Sequence, residues 1–162
     1  MVTTTPPVDL GPLRARIENY LRQKGIAYEV LPDGRYALRQ GSTKVFIVPM
    51  QWTGGQTLVK LFAPVSMAIT QISPELTRFL AEKNGELLFG KFSLDSKNKA
   101  IWYEHVLLGT SLDADELFSA VVAIALTADQ YDEQVRALSG GKSLFEMAAA
   151  PSGAPVTSHS TG

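Results

Sequence analysis

Residues 43–52 read TKVFIVPMQW. At a strand's period of two, Phe46, Val48, Met50 and Trp52 fall on one side, while Val45 and Ile47 fall on the other. Both faces of such a strand favour leaving water. Helices packed on one side shelter one set, and burial worth roughly 25 cal/mol per Å² gives the second set a strong reason to find cover elsewhere. A second subunit or a partner segment is expected to supply it, with Phe46, Val48, Met50 and Trp52 as the partner-binding residues.

The flanking punctuation says how this strand is built in. PDGR at 32–35, Gly41–Ser42 and TGGQ at 53–56 are turn signals. They separate IAYEVL, RYALRQ, the stretch above and TLVKLFAPV into a four-strand antiparallel meander. Pro49 has no N–H to donate, so it predicts a bulge or a locally unpaired edge within the third strand. Ahead of the meander, Leu10, Leu13, Ile17, Tyr20 and Leu21 recur at helical spacing until Gly25.

After the meander, Ser73 is a natural N-cap for a helix over 74–84 that begins with Pro74 and carries Leu76, Phe79 and Leu80 as its apolar stripe. LLFGKFSLD and KAIWYEHVLLG then flank the polar turn DSKNK as two further strands. Asp113 with Glu116 forms a capping box, and Leu117, Val121, Ile124, Ala128, Tyr131, Val135 and Leu138 mark one buried face of a long helix. The order α-β-β-β-β-α-β-β-α groups strands in runs, which is an α+β plan with an antiparallel β-sheet and helices packed on it.

Three segments are expected. Residues 1–8 form a flexible N-terminal arm, 9–141 the folded α+β domain and 142–162 a disordered C-terminal tail. KSLFEMAAA can form one or two helical turns, and PSGAPVTSHSTG has too little apolar content to offset the entropy of ordering it.

Charge narrows the partners. Of 162 residues, 15 are Lys or Arg and 16 Asp or Glu, a net charge of −1 that lacks the whole-molecule footprint of a dedicated nucleic-acid binder. The first 60 residues hold eight basic against four acidic groups, and the rest seven against twelve. Asp113, Asp115, Glu116, Asp129, Asp132 and Glu133 follow one another without an intervening Lys or Arg, as a solvated helix face does. Cysteine is absent, the N-terminus lacks the basic and apolar regions of a signal peptide, and the longest apolar run, AVVAIAL, falls far short of a membrane span. A cytoplasmic protein without a membrane partner is expected.

Catalytic and cofactor motifs fail on their own geometry. SGGKS at 139–143 has Arg136 where a phosphate loop needs glycine, and it follows a helix rather than a strand. DGR and DSKNK lack the alternating acidic ligands of a calcium loop. His105 lies mid-strand with neighbouring Glu104 on the opposite face, and His159 is in the tail, so neither a triad nor a clustered metal site is indicated. No catalytic residue, metal or cofactor is expected. Phe46, Trp52, Phe62, Phe89, Phe92, Trp102 and Tyr103 with Lys44, Lys60 and Lys91 would suit single-stranded nucleic acid. Most of these aromatics are expected on the helix-covered face instead, so direct nucleic-acid binding is not expected.

LRARIENYLRQKGIAYEVLPDGRYALRQGSTKVFIVPMQW, SPEL…AEKNGELLFGKFSLD and EHVLLGTSLDADELFSAVVAIALTADQYDE together resemble the YbjN family of small bacterial proteins, labelled sensory transduction regulators. Their fold is similar to that of the dimeric chaperones of type III secretion systems. The resemblance covers about residues 10–140. It implies a twisted antiparallel sheet with packed helices, a homodimer and a chaperone- or adaptor-like role in binding a client protein without catalysis. It also implies a dimer interface from the second helix and the strand after it, which here means Leu76, Phe79, Leu80, Leu88 and Phe92. The alternative is a small regulatory or sensory domain binding an apolar ligand between sheet and helix.

Overall fold

Gly34, Gly41 and Gly54, all at positive φ, turn the chain where the sequence places its turns. The computed structural model describes residues 6–149, so 1–5 of the expected arm and 150–162 of the expected tail, with His159, lie outside the described residues. The elements are α1 (Gly11–Gln23), β1 (Tyr28–Val30), β2 (Tyr36–Gln40), β3 (Thr43–Gln51), β4 (Thr57–Met67), α2 (Pro74–Glu86), β5 (Lys91–Asp95), β6 (Ala100–Leu108), α3 (Ala114–Ser139) and α4 (Leu144–Ala149). The expected order is present, followed by α4 in the segment that the sequence marks for helical turns.

All strands pair antiparallel in one six-stranded sheet of order β1-β2-β3-β4-β6-β5. Pro49 is accommodated without interrupting β3. β2 begins at Tyr36, opposite Ile47, so β3 beyond Ile47 has a ladder neighbour only in β4. Pro49 thus stands on a locally unpaired edge, where its missing N–H costs little. The register break lies in β4 instead, between Pro64 and Ser66.

Helix α3 starts as its capping box requires, with the Asp113 carboxylate accepting from the Glu116 N–H at 2.8 Å. It lies across β3, β4 and β6, while α1 packs on α3 and α2 packs on α3 and β5. One core results, joining Ile17 and Leu21 of α1, Tyr36, Ile47, Leu61 and Ile101 of the sheet, and Leu117, Val121 and Ile124 of α3. Each such aliphatic side chain contributes about 1.5–3 kcal/mol of transfer free energy.

Two elements depart from their expected bounds. Helix α2 continues through Gly85 to Glu86, and β5 starts only at Lys91, because Gly90 at φ +85° redirects the intervening chain. A side chain at Gly90 would meet the Glu104 carbonyl and the Tyr103 ring at 2.9 Å. The SGGKS glycines close a seam between α3 and β4. Gly140 ends α3 in the left-handed region. Lys142 then exchanges two backbone hydrogen bonds with Met67, at 2.7 and 2.8 Å.

Candidate functional site

Alternation along each strand sorts the sheet into two faces. Val45, Ile47, Val59, Leu61, Ala63, Ile101, Tyr103 and Leu107 are buried in the core with the helices. The opposite phase forms rows across the strands. One runs Ala37, Phe46, Phe62, Glu104, Lys91; a second runs Val48, Lys60, Val106; a third runs Met50, Leu58, Leu108. On this face Met50 (39%), Val106 (43%) and Leu108 (50%) stay exposed, as does Trp52 (47%) at the next position of the β3 alternation. These residues lie outside the shelter of the helices.

The centre of the open face is organised rather than loose. The Phe46 and Phe62 rings stack at 5.2 Å, and Trp102 meets Phe62 edge-on at 5.4 Å. Beside them the buried Glu104 carboxylate accepts from Lys60 at 2.6 Å and lies 3.7 Å from Lys91. Arg35 and Lys44 sit over the Phe46 ring at 5.3 and 5.7 Å. A fixed aromatic cluster in a cationic frame is thus bordered by exposed aliphatic and indole groups.

The expected partner-binding set is divided by this geometry. Phe46 is buried beneath its neighbours, Val48 is half-buried, and Met50 and Trp52 are exposed. Sequence reasoning missed Leu58, Phe62, Val106 and Leu108 as members of the same face. Their alternation was legible, but the pairing of β4 with β6, across two intervening elements, is what brings them beside Met50. The sheet aromatics also distribute otherwise than expected: Phe46, Phe62 and Trp102 belong to the open face, whereas Phe92 and Tyr103 are in the core.

Of the expected dimer-interface residues, Leu76, Leu80 and Phe92 are buried in this chain's own core, which already covers them. Phe79 is half-buried against Tyr131, and Leu88 is fully exposed. The outer edge of β5 is guarded nearby. The Asn84 carboxamide accepts from the Phe92 N–H at 2.6 Å and donates to the Phe92 carbonyl at 3.1 Å. A strand adding there would have to displace it.

Histidine 105 lies on the covered side, its ring 4.1 Å from that of Phe89. Burial pulls its pKa below the ordinary imidazole value, with Glu116 opposing. Glu104, next in sequence, faces the other way. Among the described residues no group of three or more His, Cys, Asp or Glu is placed to hold a metal ion, and no helix is long and apolar enough to cross a membrane.

A family described as type III secretion (YopN, CesT) and YbjN peptide-binding chaperone 1, TY-Chap1, matches residues 12–147. No curated protein matches the chain. Among solved structures, a chain of the HopA1–SchA chaperone–effector complex is similar at a TM-score of 0.59 and 11% identity, covering 78% of this chain and 99% of that one. The Yersinia pestis type III secretion chaperone SycH, solved with a stable fragment of YscM2, is similar at 0.52 and 16% identity, covering 73% and 98%. At these identities the likeness shows the fold.

Proposed function

We propose that this chain, which belongs to the family of type III secretion and YbjN peptide-binding chaperones, is a non-enzymatic, homodimeric chaperone or adaptor that holds a segment of a partner protein on the open face of its sheet. The observation that carries this reading is the exposure of Met50, Trp52, Val106 and Leu108 beside a rigid aromatic cluster, on a face that the helices leave uncovered. Protein interfaces place aromatic and apolar groups at their centre and polar groups at their rim. The HopA1–SchA chaperone–effector complex and SycH, solved with a fragment of YscM2, agree with a protein client.

The dimer contact is assigned to the α2–β5 connection, where Leu88 stands free and Phe79 is half-buried, with Leu76, Leu80 and Phe92 holding the connection from within. A homodimer of this kind buries upward of about 1,000 Å². The alternative of an apolar small ligand draws little support from the cavity beside α4, whose lining includes Arg39, Lys44, Asp129, Asp132 and Arg136.

Size-exclusion chromatography with light scattering tests the dimer: twice the 17.6 kDa chain mass is expected, reduced to the monomer by Leu88→Asp. A wild-type protein that stays monomeric at micromolar concentration removes that part of the reading. Val106→Asp with Leu108→Asp tests the face and is expected to abolish client capture while leaving the dimer intact.

A further inference from the structure

At one end of the open face the sheet places two cations directly opposite each other. Arg39 and Lys44 are cross-strand partners in the β2–β3 hairpin, so their β-carbons stand about 4.5–5.5 Å apart. Like charges so placed destabilise a sheet. Neither has a carboxylate partner among the described residues. Arg39 donates to the carbonyl of Gly41 at 3.3 Å and lies over the Phe145 ring, while Lys44 lies over Phe46.

The pair lines a cavity of about 340 Å³, walled also by Pro64, by α3 and by Ser143 and Phe145 at the start of α4. The acids that line the cavity pair with neither Arg39 nor Lys44. The Asp129 carboxylate accepts from the Ser42 hydroxyl, and Asp132 pairs with Arg136 at 3.2 Å. The Glu146 carboxylate, next to Phe145, accepts from the Ser143 N–H at 2.5 Å and faces Arg136 at 3.8 Å. The lining thus carries three cations, Arg39, Lys44 and Arg136, against the two carboxylates of Asp129 and Asp132, and among the described residues Arg39 and Lys44 are left without an ion pair.

We infer that the Arg39–Lys44 cavity is an anchor for acidic side chains of the bound partner segment, so that the open face selects segments that carry Glu or Asp at one end of their apolar residues. The inference rests on the reading of the open face as the client surface and names the chemistry of the client. Aromatic packing favours a protein over nucleic acid. Base stacking needs free ring faces, and Phe46 and Phe62 stack on each other, with Arg35 and Lys44 over Phe46 and Trp102 edge-on to Phe62.

The only two tryptophans, Trp52 and Trp102, report on occupancy through their emission. The probes are three end-blocked peptides of alternating leucine and serine that close with two glutamates, two glutamines or two lysines, together with oligothymidylate. The glutamate peptide is expected to bind about tenfold more tightly than the glutamine peptide at low salt, a preference that fades near 0.5 M salt. Arg39→Gln with Lys44→Gln is expected to remove that preference, and Arg39→Glu with Lys44→Glu to transfer it to the lysine peptide. Equal affinity of all three peptides for the native protein overturns the anchor and leaves the apolar client surface standing. Failure of every peptide to bind overturns both. Tighter binding of oligothymidylate than of the glutamate peptide overturns the assignment to an acidic protein segment.

Discussion

Leu61 and Phe62 are adjacent in β4, yet one is sealed beneath α3 and the other looks onto the open face. The two faces of this sheet are both apolar but differ in what surrounds the apolar groups. The covered face is filled with aliphatic groups and has almost no charge. The open face surrounds its aromatic cluster with Arg35, Arg39, Lys44, Lys60 and Lys91 and satisfies only some of them. A protein core tolerates few unsatisfied charges, whereas an exposed face keeps them hydrated. Apolar content alone therefore does not distinguish the covered face from the open one; the charge around it does.

Substitution can break this contrast. Leu61→Ala, on the covered face, is expected to destabilise by about 2–5 kcal/mol in urea unfolding. A loss below about 1 kcal/mol would mean that the covered face is loosely packed. Glu104→Gln comes next, at about 1 kcal/mol, because it removes the shared acceptor of Lys60 and Lys91. Its salt dependence, compared with that of the native protein, reads the ionic part. Val106→Ser, on the open face, is expected to shift stability by less than about 0.5 kcal/mol while weakening client binding. An equal effect of Leu61→Ala and Val106→Ser on stability would abolish the distinction between the faces.

The smallest effect is a pH dependence. His105 has its folded pKa held below the ordinary 6.5 by burial, so the unfolded chain takes up its proton first as pH falls. Its contribution to stability is complete above pH 6.5 and is lost as pH falls from there through the lowered value. His105→Gln is expected to flatten the stability profile in that window, as followed by thermal unfolding. A profile unchanged by the substitution would place the imidazole in water.

Much of the fold was legible because its determinants are local. Asp113 and Glu116 begin α3, Gly140 ends it, and Pro74 after Ser73 starts α2, each through contacts within a few residues. Less of the site was legible. Leu76, Leu80 and Phe92 read as an interface stripe, but an apolar stripe looks the same whether another subunit or the chain's own core covers it. Phe46 and Trp52 stand two and four residues from Val48 on the same side of the strand, and only the packing of Phe62 and Arg35 separates the buried ring from the exposed one.

The order of helices and strands, the turns, the helix caps and the two-sided apolar character of residues 43–52 were determined by the sequence alone, since each depends on dihedral preference or on periods of two and 3.6 residues. Tertiary structure decided which phase of each strand meets the helices, that β6 lies against β4, and that the segment from Lys142 to Phe145 returns to wall the Arg39–Lys44 cavity. Those outcomes depend on contacts between residues far apart in the chain, and a side chain's burial is a property of what arrives to cover it.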